Sequence, residues 1–338
     1  MQAVHTMGQR VRRKPGRVAG GLLVAGLLAG GTAGCSRSER APAAAVEAPP
    51  ELRSPRPADP ELLRARRQFR AEQDARMRGE LSPLARVDYV HLPEGENRVG
   101  SGDHAAVRLD PAASGTGAGE VRLRVDVEGA TRRLSLQARP AIARNGVPVT
   151  AAVLASGDVL ALGRLRLLVA GLPEDPAVAL YDPAAPARQE YRGLLYFPDD
   201  ERFVTRGRLE RYPTPRAVRL DASRGEPRPL LALGTLSFTL GGTAASLEAY
   251  SDSPATATAP AQLFLIFKDQ SNGQPDGSYG AGRFLTPRLL AGDEVVLDFN
   301  QAWNPLCAYS HYFHCPLPPR RNWLPLAIPA GERAYPAH

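Results

Sequence analysis

Lysine is almost missing from this 338-residue chain. Of 42 basic side chains only two are lysines, Lys14 and Lys268. Such an imbalance suggests a coding bias against lysine, so a lysine that is kept is informative: arginine cannot replace a compact ammonium at a tight site. Cysteine is scarce as well. The three cysteines, Cys35, Cys307 and Cys315, allow at most one disulfide and leave an odd thiol. The uncharged run Val18–Gly34 is shorter than the roughly 20 apolar residues of a membrane-spanning helix, and it is dense in glycine. The chain also lacks G-x-S-x-G, a Walker loop, H-E-x-x-H and a dinucleotide fingerprint, so no standard catalytic or cofactor motif names a reaction. No cofactor is expected, and the catalytic residues stay unknown at this level.

Residues 1–34 have the layout of an export signal. Arg10, Arg12, Arg13, Lys14 and Arg17 make a basic start, the uncharged run follows, and Thr32-Ala33-Gly34 leads into Cys35. Small residues before a cysteine resemble the lipobox of bacterial lipoproteins, with Thr32 standing where leucine is usual. The resemblance implies a lipid on Cys35 and an extracytoplasmic protein anchored to a bacterial membrane, with Ser36 fitting an outer-membrane or cell-surface address. Without the signal, 37 basic and 35 acidic side chains remain, so the net charge falls from +7 to +2. The basicity is therefore partly an export feature, and no nucleic-acid partner is expected.

The organisation after the signal reads in four parts. Residues 35–59 are rich in Ala, Pro, Arg and Glu and form an expected tether. Asp59-Pro60 opens a helix as cap and first-turn proline, running to about Arg78 with a thin stripe of Leu62, Phe69 and Met77; residues 60–86 are assigned to this surface helix. Over 87–185 the period becomes two: Val121, Leu123, Val125 and Val127 alternate with Arg122, Arg124, Asp126 and Glu128, predicting a small β-sandwich. Residues 186–338 predict a larger β domain, with strands at Gly207–Tyr212, Arg216–Asp221, Leu233–Leu240, Ala244–Tyr250, Gln262–Phe267, Glu294–Phe299 and Leu324–Ile328. The fold class is mainly β with one N-terminal helix.

The rarer residue types gather near the C-terminus. Residues 264–328 hold four of six asparagines, ten of 21 aromatics, two cysteines and Lys268. Within them stand Phe267-Lys268-Asp269, Tyr279-Gly280-Ala281-Gly282-Arg283, Asp298-Phe299-Asn300, Trp303-Asn304-Pro305 and the run Cys315-Pro316-Leu317-Pro318-Pro319 that continues to Gly331-Glu332. These blocks resemble the bacterial domain-of-unknown-function family 1684 (DUF1684). The departures are Ser271 and Ser278 for threonine, Trp303 for tyrosine, and about two extra residues between Gly273 and Tyr279. The similarity extends back through Tyr191–Leu194 and Glu94–Gly100. It implies membership and no particular activity. In the N-terminal β part, Asn97–Gly100, Asn145–Val149 and Gly157–Gly163 look like a forkhead-associated sandwich. Ser101 follows Gly100 and no Ser-x-x-His is present, so the phosphopeptide site of that family is not carried over.

Two readings of the dense segment stand open. Lys268, Asp269, Tyr279, Arg283, Asp298, Asn300 and Asn304 could line a polar pocket, with Lys268 and Arg283 holding a small anionic ligand. Alternatively, they form a structural network in which Arg283 pairs with Asp298 and the asparagines tie down loops. If Cys35 carries lipid, Cys307 and Cys315 are expected to form a disulfide worth roughly 2.5 kcal/mol in loop closure. Zinc held by Cys307, His311, His314 and Cys315 is disfavoured by their spacing, and no metal is expected. Catalysis by Cys307 with His311 or His314 lacks an orienting group. The leading expectation is an envelope lipoprotein that binds a ligand or partner without catalysis. The alternative is a hydrolase-type enzyme with its site around Lys268, Arg283, Asp298 and Asn300.

Overall fold

The computed structural model describes residues 59–115, 120–252 and 263–336. Cys35, the expected signal and nearly all of the expected tether lie outside them. The described chain is mainly β and builds two curled sheets and one long helix.

Helix α1 spans Pro60–Arg78. The Asp59 carboxylate accepts the Glu61 amide at 2.8 Å, and Pro60 occupies the first turn, where its missing N–H costs nothing. The helix buries Leu62, Arg66 and Met77. Arg66 is the unexpected member of that face. Fully buried, it donates from Nε to Asp298 at 2.7 Å and from Nη1 to Glu201 at 2.6 Å.

The first sheet comprises β1 (Arg86–His91), β2 (Gly95–Gly100), β3 (Val107–Arg108), β4 (Glu120–Glu128), β5 (Thr131–Arg144), β6 (Val147–Leu154), β7 (Val159–Leu162), β8 (Leu165–Ala170) and β9 (Ala177–Tyr181). Their order is β1-β9-β8-β7-β5-β4-β2-β3, with β6 also pairing with β5. Alternation sets which face goes inward. Val121, Leu123 and Val125 of β4 are buried, as are Leu165, Leu167 and Val169 of β8. Val127, expected to point inward with them, is exposed next to the Gly129 turn. Short helix α2 (Pro111–Ser114) lies between β3 and β4.

After the short helix α3 (Pro186–Gln189), the second sheet has β10 (Val204–Leu220), β11 (Arg228–Leu240), β12 (Thr243–Ser251), β13 (Phe264–Phe267), β14 (Arg283–Leu285), β15 (Arg288–Leu289) and β16 (Glu294–Asp298). Its order is β14-β13-β12-β11-β10-β16-β15. Two expected strands, Gly207–Tyr212 and Arg216–Asp221, are one strand, β10. Its register on β11 shifts between Arg211 and Arg216, where Pro213 and Pro215 interrupt the ladder. The expected strand Leu324–Ile328 is not a strand. Pro325 has no N–H to donate, so the segment's backbone-to-backbone bonds to residues 268–270 are spaced ones, Leu324 to Lys268 and Gln270 to Leu326.

Replacing Arg66 with alanine is expected to destabilise the protein by about 3–5 kcal/mol, because Asp298 and Glu201 would lose their buried cation. Urea denaturation followed by circular dichroism measures this. A loss under 1 kcal/mol would show that the pair does not hold α1 to the second sheet.

Candidate functional site

The seven polar residues singled out in the sequence do not converge on one pocket. The structure distributes them over separate places, and most are spent on each other or on backbone.

Arg283 on β14 pairs with Asp269 rather than with Asp298. Its Nη2 donates to Asp269 at 2.7 Å and to the Ile328 carbonyl at 2.8 Å, its Nη1 to the Ala330 carbonyl. Both side chains are wholly buried, and the Arg283 cation lies 5.3 Å from the Phe267 ring centre. Asp269 also accepts the amides of Ser271 and Ile328. Gly282 precedes this arginine at φ +105°, where an added Cβ would meet the Phe267 carbonyl at 2.7 Å. Only glycine lets the two chain segments approach that closely.

Asp298 receives Arg66, and its other oxygen accepts the amide and side chain of Asn300 at 3.1 and 2.9 Å. Asn300 in turn holds the backbone of Asp200 through both ends of its amide. Asn304 directs its backbone and side-chain N–H groups to Glu332 at 3.0 and 2.9 Å. Lys268 leaves the core altogether, its ammonium 4.9 Å from the centre of the half-exposed Trp323 ring. Tyr279 reaches the Cys307 carbonyl at 3.5 Å; burial, then Cys307, pushes its hydroxyl up to about 12.

Two groups at the centre of these networks were not picked out in the sequence. Arg66 sits in a helix full of charges, and nothing marks it apart from its i+4 spacing after Leu62. Glu332 closes the quoted family block. It is buried, it accepts Asn304 twice and the Tyr309 hydroxyl, and burial raises its carboxyl to about 7 against the pull of those donors.

Cys307 and Cys315 are free thiols. The expected disulfide is absent: the amide of Cys307 donates to the Cys315 sulfur at 3.2 Å instead. Among the described residues no group of three or more His, Cys, Asp or Glu side chains is placed to hold a metal ion.

A cleft of about 510 Å³ opens between α1 and the β15–β16 edge of the second sheet. Its apolar wall is Leu62, Phe69, Val296 and Trp303, with the Phe69 and Trp303 rings 5.9 Å apart. Trp303 is held edge-on by Phe284 and by backbone bonds to it in both directions. Glu61 and Arg288 form a 3.1 Å ion pair on the lining. Arg76 and Gln73 project from α1, and among the described residues neither side chain has a hydrogen-bond or ion-pair partner. Asp298 is the one predicted site residue that reaches this cleft. A larger, shallow depression of about 870 Å³ crosses β10, β11 and β12, lined by Arg206, Arg208 and small polar residues.

The raised Glu332 carboxyl makes a signed prediction. Between the ordinary carboxylate value and about 7, the folded protein keeps a proton that the unfolded chain releases, so stability should fall as pH rises through that window. The change should total about 3 kcal/mol. Denaturation midpoints from pH 5 to 8 should decline in the natural protein and flatten in Glu332→Gln; equal slopes in both would contradict it.

Residues 189–333 match the model of a family described as a protein of unknown function, DUF1684. The match starts at Gln189, so the Glu94–Gly100 block expected to share the similarity lies outside it. A solution NMR structure of an uncharacterized protein of Haloarcula marismortui is 39% identical, with the alignment covering 43% of this chain and 78% of that one at a TM-score of 0.36. No curated protein matches. Through residues 189–333, the chain belongs to the DUF1684 family.

Proposed function

We propose that the protein is an envelope lipoprotein, tethered through Cys35, whose folded part binds a small ligand without transforming it. The observation that carries the binding reading is the cleft beside α1. It combines a two-ring apolar wall with an arginine and an amide whose side chains make no hydrogen bond or ion pair among the described residues. Specific small-molecule sites are concave, mostly apolar and fixed by a few polar groups. An arginine outside any ion pair among the described residues suits a carboxylate, sulfonate or phosphate, and the Phe69–Trp303 pair suits a flat apolar body. The ligand class is therefore an amphipathic anion with an aromatic or similarly flat part.

The hydrolase alternative finds less support. Arg283, Asp298 and Asn300 are engaged in internal bonds, and the Lys268 ammonium lies over the Trp323 ring. Among the described residues the cleft lining contains no serine, cysteine, histidine or lysine, and Thr286 is its one hydroxyl.

Two measurements test the two halves of the reading. Aromatic carboxylates and sulfonates should quench Trp303 fluorescence in a Trp323→Phe background. Arg76→Ala should weaken binding by about tenfold, the usual scale of one charged hydrogen bond. Binding that ignores both Arg76→Ala and Trp303→Ala would place the ligand elsewhere. Separately, Cys35→Ser should abolish fatty-acid labelling in cells; labelling that persists would remove the anchor.

A further inference from the structure

Outside the cleft, Cys307 and Cys315 come together just beyond the end of β10. Cys315 is pinned to the end of β10: its amide donates to the Ser223 hydroxyl at 3.1 Å, its carbonyl accepts the Ser223 amide at 2.9 Å, and Leu317 donates to Asp221 at 2.7 Å. Cys307 arrives on the turn Leu306–Ala308, and its own amide rests on the Cys315 sulfur at 3.2 Å. Cys315 is buried while Cys307 is half-buried. The two thiols therefore share one small polar enclosure with the hydroxyls of Ser223 and Tyr279.

That enclosure treats the two sulfurs differently. The hydrogen bond from Cys315 is the main influence lowering the Cys307 thiol to about 7; burial opposes it, and Ser223 and Tyr279 assist. The same bond and burial push the Cys315 thiol up. One sulfur is thus a ready thiolate near neutral pH, and the other keeps its proton. Among the described residues the side chains that bond Cys307 are those of Cys315, Ser223 and Tyr279, while the His314 ring packs against Gly225.

We propose that Cys307 and Cys315 form a thiol–disulfide exchange site for low-molecular-weight disulfides, with Cys307 the attacking sulfur and Cys315 the resolving one. The Cys307 thiolate attacks one sulfur of the disulfide, breaking its S–S bond and forming a mixed disulfide. The displaced thiolate takes up a proton. Cys315 then gives up its proton and attacks the Cys307 sulfur, releasing the second small thiol. Two protein thiols are oxidised to one disulfide, and the small disulfide is reduced to two thiols.

Oxidised glutathione is the probe, applied to the reduced full chain carrying Cys35→Ser so that two thiols remain to be counted. Mass spectrometry should show both thiols lost together and no glutathione retained. In Cys315→Ser, one glutathione should stay on Cys307. Iodoacetamide with peptide mapping should label Cys307 at least about tenfold faster than Cys315, with a pH midpoint near 7 that moves up in Cys315→Ser. A stable glutathione adduct on the protein that retains both cysteines would overturn the proposal. So would equal labelling of the two cysteines, a readout that leaves both Cys307 and Cys315 in place.

Discussion

The guanidinium of Arg283 is shut away from water on all sides, and the motif-bearing half of the protein is arranged around that fact. Placing a cation there costs several kcal/mol unless charge and hydrogen bonds replace its solvent. Asp269 supplies the charge, and the Ile328 and Ala330 carbonyls supply two more acceptors. Because Asp269 follows β13 and the carbonyls belong to a loop near the C-terminus, the pair fixes segments about 45 and 60 residues apart in the chain. The proline-rich run that ends at Ala330 has few ladder bonds of its own, so this ion pair does for it what strand pairing does elsewhere.

The same loop carries the second buried charge. Gly331 turns at φ +77°, where an added Cβ would lie 2.6 Å from the Phe299 and Ala302 carbonyls. That turn places Glu332 beneath Asn304 and Tyr309. Asn304 follows directly on Trp303, so the buried carboxylate steadies the ring that forms one wall of the cleft. The opposite wall, α1, is fixed by Arg66 on Asp298. Two interior polar contacts thus hold a surface cleft whose lining includes Arg76 and the half-buried Gln73.

Spending polar side chains on internal bonds explains why the dense segment misleads as a site. A lysine or arginine retained in a particular block can mark a ligand contact or a buried pair, and composition does not separate the two. Arg283 proved to be a buried pair. Lys268 stacks on Trp323, and Asn300 and Asn304 bind loop backbone or carboxylate. Only Asp298 borders the cleft, and even there it serves chiefly to anchor Arg66.

The sequence by itself determined the local features. The Asp59-Pro60 helix start, the period-two strands of the first sheet and most strands of the second follow from caps, proline and alternation, which act over a few residues. The family blocks were equally legible. Only the tertiary structure decided that two proline-separated strands form one bulged strand, that Leu324–Ile328 is not a strand, and that the cysteines lie side by side as thiols. It also decided the partners of Arg66, Arg283 and Glu332. Burial of a charge depends on segments far apart in the chain meeting in space, and no local pattern around a single arginine or glutamate records where its counter-charge will be.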